Sequence, residues 1–419
     1  MADKLQEILD EIDEKKTTED ERPSVEVREK PAAYERAPKT KSREAKQSIF
    51  VSAGKAVVPL KGDKPLEIVR KCVFIVSFAV AITCLVWILQ DMNASRANEN
   101  LNSGILEMVE QSRLTGRPSI PPEEARQIEE AVPGIMPEYI DIYSQNNDVI
   151  GWVNVPGTKV NYPVLQRRWV NEDGSIGGSN QYYLDHDFNN RPSKHGTIFA
   201  EWRFPFTPTS RPDNSVLYGH NIHDGSMFAN AARYYPYYNM SRAYANANFY
   251  KTNPLIYFDT LYETGVYKVF AAMYVHTEED KYDDVFDYFR WREFPDRDTF
   301  FSFMVNVLDR SGIYTDVDIE YGDEILTLST CYYPLGEHID SRVAVFARRV
   351  RPGESLDVNT DAAYHNTSPL YFDLYYRSMG GSWDGRTWDT SKVKGLDEWL
   401  AERGGEEIPR LFRNAVSEG

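Results

Sequence analysis

Cysteine is the scarcest informative residue in this chain. There are three in 419 residues, and two of them, Cys72 and Cys84, sit inside one apolar run. That leaves Cys331 alone in the rest of the chain, which excludes an intramolecular disulfide framework there. No CxxC and no HExxH occurs, so neither common zinc signature is present. There is no glycine-rich loop of the kind that cradles phosphate, and no internal repeat. Acidic loops are plentiful, but none has the spacing of a calcium loop, so no metal and no cofactor is expected. Basic charge is also lacking. The net charge is −17, while residues 1–70 carry 15 basic and 15 acidic side chains, so the deficit lies later in the chain. An acidic domain of this kind excludes nucleic acid and acidic polymers as partners.

One long hydrophobic run is present. Cys72–Leu89, "CVFIVSFAVAITCLVWIL", has 18 residues and no charge. As a helix it spans ~27 Å, about the hydrocarbon thickness of a bilayer. Nothing polar marks an outward face, so a buried core helix does not fit. A cleaved signal peptide does not fit either, because the run begins 70 residues into the chain and no small-residue cleavage site follows. Lys55, Lys61, Lys64, Arg70 and Lys71 precede the run and Asp91 follows it. The positive-inside rule then predicts a single-pass signal anchor, N-terminus cytoplasmic and the remainder external. Residues 72–89 would contact membrane lipid.

The chain divides by pattern. Residues 1–70 are charged and weakly periodic and read as a largely disordered cytoplasmic tail, with one short amphipathic stretch at Leu5, Ile8, Leu9 and Ile12. The anchor covers 71–90. Residues 91–134 read as a stalk, with a helix at "ILEMVEQSRL" broken by "GRPSIPPEEA". A further helical pattern over 135–150 leads into a β-rich domain ending near 350. Strands are expected within 149–166 and at 196–201, 214–219, 254–259, 265–275, 323–331 and 342–350. Helices are expected near 226–233, 242–249 and 297–309. Many short strands separated by turn signals predict a mainly β fold, a closed or nearly closed barrel with inserted helices. Residues 351–419 form a C-terminal extension rich in Tyr, Trp, Gly and Asp. Within it "LDEWLAERGG" predicts a short helix with Leu396, Trp399 and Leu400 on one face. Packing on the barrel and contact with the cell wall are both open to this extension.

The candidate chemistry starts at "DEILTLSTCYYP", a strand that stops at the lone thiol. Alternation puts Ile325, Thr327, Ser329 and Cys331 on one face. A nucleophile at a strand end is exposed to substrate yet held by a rigid scaffold. A thiol nucleophile needs a proton partner. Seven histidines are available, and His220 in "NSVLYGHNIHDGSMF" lies just past an apolar strand, as Cys331 does; His223 competes with it. His186, His195, His276, His338 and His365 lie in polar, loop or tail contexts. Acyl transfer also needs a group to stabilise the oxyanion. Arg342, at the start of the next strand, is placed to reach back over Cys331, whereas Arg348 would lie ~20 Å away along an extended strand.

Together these segments resemble the sortases, membrane-anchored cysteine transpeptidases of Gram-positive bacteria. "TLSTC" is followed eleven residues later by Arg342 and preceded by "LYGHN". "GWVNVPGTKVNYPVLQ", "YYLDHDF", "GTIFAEWR" and "NSVLYGHNIHDGSMF" resemble class B blocks in the family's order, over roughly residues 135–350. The resemblance implies an eight-stranded β-barrel with N-terminal helices. It implies Cys331 as nucleophile, His220 as general acid–base and Arg342 as oxyanion or substrate ligand. It also implies a substrate groove including Asn180, Leu184, Ser329 and Tyr282. The implied reaction cleaves an NPxTx-like sorting signal after Thr through a thioacyl enzyme and passes the protein to an amine. The implied partners are surface proteins bearing that signal and a peptidoglycan precursor amine, or, in a pilin-joining variant, a lysine side chain. Non-catalytic binding of wall peptides and plain proteolysis are the alternatives. Four features depart from class B: Tyr332 follows the cysteine where some members carry an acid, the cytoplasmic tail is long, the extension after Val350 is long, and loop 203–213, "RFPFTPTSRPD", is Pro-rich.

Overall fold

The computed structural model describes residues 57–234, 247–278 and 284–404. Of the expected disordered tail, residues 1–56 lie outside the described residues, while Pro65–Arg70 are helical. The chain forms two compact units, residues 1–87 and 88–419.

The first unit carries all but the last two residues of the apolar run. It lies in helix α1 (Pro65–Thr115), which is long and apolar enough to cross a membrane, and its most apolar window is fully exposed. Exposure of Phe74, Phe78, Leu85 and Trp87 is what a lipid-facing helix requires and what water disfavours.

The second unit is built on a β-barrel. Helices α2 (Pro122–Ala131) and α3 (Pro137–Gln145) precede strands β1 (Val149–Asn154), β2 (Asn161–Leu165), β3 (Arg168–Val170), β4 (Ile176–Gly178), β5 (Phe199–Ala200) and β6 (Asn214–Tyr218). After α4 (Asn248–Thr252) come β7 (Leu255–Thr260), β8 (Val266–His276), α5 (Arg297–Arg310), β9 (Ile313–Tyr314), β10 (Ile319–Glu320), β11 (Ile325–Cys331) and β12 (Ser341–Arg349). The extension adds β13 (Tyr364–His365), α6 (Asp373–Met379), β14 (Val393–Lys394) and α7 (Leu396–Glu402). Among the described residues eight strands close in the order β1-β2-β5-β6-β11-β12-β8-β7, the eight-stranded barrel that the resemblance implies. Two neighbouring pairs, β2–β5 and β6–β11, are parallel.

Alternation sorts each strand between two environments. Leu326, Leu328, Val343, Val345 and Ala347 point inward, into a core shared with Val153, Leu217, Ile256 and Val269. Ile325, Ala344 and Phe346 point outward and are covered by Phe300, Phe303 and Val307 of α5. A one-residue bulge between Phe346 and Ala347 opposite β8 preserves this sorting, with Phe270 and Ala271 both facing outward. On the other side, Trp152 and Phe199 pack under α3 and under the end of α1, where Ile105 and Val109 are buried. The region expected as a stalk thus belongs to the folded unit, with contacts from Ser95 on.

One expected helix is absent. Residues 226–233 form a loop with a single 3-10 turn at Ala231–Tyr234. Gly225 and Met227 both take positive φ, 85° and 53°, which ends any helix there. The helix expected at 242–249 begins only at Asn248, and residues 242–246 lie outside the described residues.

The extension packs on the barrel. β13 pairs with β9 and β14 with β10, while Trp388, Val393, Leu396 and Trp399 join the outer core. Trp399 meets Phe301 with centroids 5.6 Å apart, and its Nε1 donates to Asp298. Arg348, 1 % exposed, donates to Asp318 and to both oxygens of Glu354, each at 2.7 Å, and Lys268 shares one of the Glu354 oxygens. It is a structural cation, remote from Cys331 as its register predicts.

This packing has two measurable consequences. Trp399→Ala should lower the unfolding free energy by about 3–5 kcal/mol in a denaturant titration. The Arg348 hydrogen bond, with Lys268 adding to it against burial, holds the Glu354 carboxyl well below the usual carboxylate range. A depressed carboxylate stabilises fully above its unfolded pKa of about 4.3, and that contribution is lost as pH falls below it. Glu354→Gln should therefore lower the midpoint at pH 7 and flatten its decline between about pH 5 and pH 2; an unchanged acid slope would count against the ion pair.

Candidate active site

Strand register brings three residues to one end of the sheet. In the parallel pair, Ser329 lies beside Tyr218, and the Gly219 amide donates to the Ser329 carbonyl at 3.1 Å. Two residues further on, His220 therefore stands beside Cys331. In the antiparallel pair Cys331 is opposite Arg342. The Tyr332 amide donates to the Ser341 carbonyl at 3.0 Å, which makes the next pair the hydrogen-bonded one. Cys331 and Arg342 are then a non-hydrogen-bonded pair, the kind whose Cα atoms approach to ~4.5 Å with side chains closest. All three share the outward parity of Ser329 and line one groove of about 720 Å³, a volume suited to a peptide segment.

Each member is held locally. The Asn221 side chain donates to the Cys331 carbonyl at 2.9 Å, tying the loop after His220 to the end of β11. That loop closes through Phe228, whose amide donates to the His220 carbonyl at 2.9 Å. His220 Nε2 lies 2.7 Å from the Leu184 carbonyl. A carbonyl only accepts, so Nε2 carries a proton and Nδ1 is the nitrogen left to gain and lose one. Asp340 accepts from both terminal nitrogens of Arg342, the second at 3.0 Å, and the Thr277 hydroxyl donates to Asp340 at 3.0 Å. Burial works against the Arg342 charge, but the Cys331 sulfur and Asp340 more than offset it and push its pKa up. Arg342 is thus a permanent cation beside the sulfur.

The groove residues read from the sequence fare differently. Asn180 lines it, but its amide donates to buried Glu201 at 2.6 Å and its oxygen accepts from the Trp202 amide at 3.2 Å. Leu184 lines it and supplies the carbonyl that orients His220. Ser329 lines it with its hydroxyl 2.6 Å from that of Tyr288. Tyr282 lies outside the described residues; in the same segment Tyr288 forms the wall. His223 does not line the groove. Of the other histidines, His195 bonds Ser95 on α1 and His276 bonds Asp284.

Tyr218, Tyr288, Tyr333, Trp202 and Asp340 were not singled out by the sequence. Tyr218 and Tyr333 had a signal, since each is two residues from His220 or Cys331 and so shares its face. Burial first, then the hydrogen bond with Cys331, pushes the Tyr333 pKa up to about 12. Burial likewise raises Tyr288 to about 12. Both phenols stay protonated and can donate. Tyr288 and Asp340 depend on long-range placement that no local spacing reveals.

Known proteins are similar to this chain. A family description for the sortase domain matches residues 153–350. Sortase B of Staphylococcus aureus is 29% identical over 217 residues, 52% of this chain and 76% of that protein. Sortase B of Listeria monocytogenes is 29% identical over 197 residues, 46% and 67% respectively. Among solved structures, the S. aureus sortase B–substrate complex aligns with a TM-score of 0.41 at 26% identity, covering 55% of this chain and 92% of that one. Residues 153–350 are a sortase domain, and the relatives that match this part of the chain are sortases of class B.

Proposed function

We propose that this chain cleaves an NPxTx-like sorting signal after its threonine and transfers the severed protein to an amine of the cell wall. The observation that carries this reading is the row His220–Cys331–Arg342 opening onto one peptide-sized groove. The Cys331 sulfur attacks the threonine carbonyl carbon, and the carbonyl electrons move onto oxygen. The Arg342 guanidinium, with the Tyr333 hydroxyl beside it, faces that charge. Collapse breaks the C–N bond, and His220, protonated, gives its Nδ1 proton to the leaving amine. The product is a thioester on Cys331. The wall amine then attacks the thioester carbonyl, His220 takes its proton, and the C–S bond breaks to restore the enzyme. The Leu184 carbonyl keeps the ring oriented through both half-reactions.

The remaining parts fit a surface enzyme. The apolar stretch of α1 anchors the chain in membrane lipid, the basic residues before it keep the N-terminus cytoplasmic, and the barrel works outside. The sorting-signal proteins and the wall precursor are then available at one face of the membrane.

Three outcomes test this with a fluorogenic NPxTx peptide, an amine acceptor and product analysis by mass spectrometry. Cys331→Ala should abolish turnover; retained turnover would end the reading. Arg342→Lys should lower kcat/KM by about 10²–10³-fold, since a lysine cannot reproduce the Asp340-held fork. Asp340→Asn should lower kcat by on the order of tenfold to a hundredfold with little change in KM, because it misplaces Arg342 without removing it. Transfer to a lysine side chain in preference to a wall peptide would point instead to pilin joining.

A further inference from the structure

The family match stops at residue 350, yet the following residues reach the base of the active site. We propose that Phe372 and Tyr375 of the C-terminal extension are positioning residues for Cys331 and Arg342, acting through Tyr274, Ser341 and Tyr332. The proposal rests on Cys331 being the nucleophile.

The path is continuous. Phe372 and Tyr375 are buried in the inner core together with Leu326, Leu328 and Val343, so the extension plugs the barrel at the end where β11 stops and β12 starts. There they enclose Tyr274 near the end of β8, with ring centroids 5.2 and 6.0 Å from it; Tyr371 is at 6.4 Å and stacks on Tyr375 at 3.9 Å. The same Tyr274 ring meets Tyr332 edge-on at 5.4 Å. Its hydroxyl donates to Ser341 Oγ at 3.2 Å, and the Ser341 hydroxyl donates to the Tyr332 carbonyl at 2.5 Å. Tyr332 follows the proposed nucleophile and Ser341 precedes Arg342. Fixing this pair fixes the distance between the thiol and the guanidinium one residue above.

A second strut reaches the same place. Phe372 lies 4.6 Å from the His276 ring, and His276 is the cross-strand partner of Ser341. His276 Nε2 is 3.0 Å from Asp284, whose other oxygen accepts from the Asp373 amide at 2.5 Å. The start of α6 is thereby tied to the strand it braces. Aromatic rings are well suited to bracing a strand end, because they fill volume with two torsions each and lose little entropy in holding a fixed geometry.

A merely structural role would lower stability and nothing else, so the test compares two parts of the same extension. In the full-length chain, Phe372→Ala, Tyr375→Ala and Tyr274→Phe are set beside Trp399→Ala, which empties the outer core instead. The readouts are kcat, KM, the melting temperature, and the pH profile of iodoacetamide alkylation at Cys331, resolved from Cys72 and Cys84 by peptide mass spectrometry. The first three variants should lower kcat by about tenfold or more with KM within about twofold. They should also displace the alkylation profile, and Phe372→Leu should recover most of both. Tyr274→Phe removes only a hydroxyl, so its effect does not depend on a damaged core. Trp399→Ala should lower the melting temperature and leave the profile in place. Wild-type alkylation profiles in Phe372→Ala and Tyr375→Ala, with only the melting temperature reduced, would overturn the proposal. Failure of the nucleophile assignment itself is distinguishable, since turnover would then persist after Cys331 is fully alkylated.

Discussion

The site depends on one constraint, the register of three adjacent strands. β6 runs parallel to β11, and β11 runs antiparallel to β12. Because side chains alternate with a period of two, a slip of one residue in either pairing would send His220 or Arg342 to the barrel interior. The interior is filled by Leu217, Leu328, Val343 and Val345, none of which tolerates the groove's water. Burial of those aliphatic side chains therefore sets where the polar row stands. The hydrophobic effect that closes the barrel is also what aligns the thiol, the imidazole and the guanidinium.

Around that row, short polar contacts fix each group with little room for adjustment. Leu184 holds the imidazole, Asp340 with Thr277 holds the guanidinium, and Asn221 holds the backbone of Cys331 itself. Donors held in this way would already face an oxyanion as charge develops, which is what the proposed acyl transfer requires. Tyr332, next to the cysteine, turns its ring toward Tyr274 and joins the aromatic plug. Asp340, just before β12, supplies the carboxylate that grips Arg342.

Much of this was legible in the sequence, for physical reasons. The strand ending at Cys331 shows its alternation openly, because one face meets aliphatic core and the other does not. The short helix at Leu396 shows its stripe and its glycine stop, and Leu396 and Trp399 are buried as that stripe requires. The rise along an extended strand sets Arg348 far from the thiol, and it is a buried partner of Asp318 and Glu354. What stays hidden depends on contacts between distant segments. Tyr288 reaches Ser329 across 41 positions and Phe372 reaches Tyr274 across 98, and no local periodicity marks either. The loop at 226–233 departs from expectation because its apolar spacing mimics a helix while the positive φ of Met227 forbids one. Tyr282 falls outside the described residues, so its part in the groove is a matter for mutagenesis.

The measurement that bears most directly on the account is the intact mass of the enzyme during turnover. The full-length protein is mixed with a sorting-signal peptide in the absence of an amine acceptor and quenched in acid, then digested to locate the added mass. A covalent adduct equal to the peptide up to its threonine, carried on Cys331 and released by hydroxylamine, is the predicted result. Peptide cleaved at that bond with no adduct on Cys331, or with an adduct on another residue, would contradict the assignment of the lone thiol as the acyl carrier.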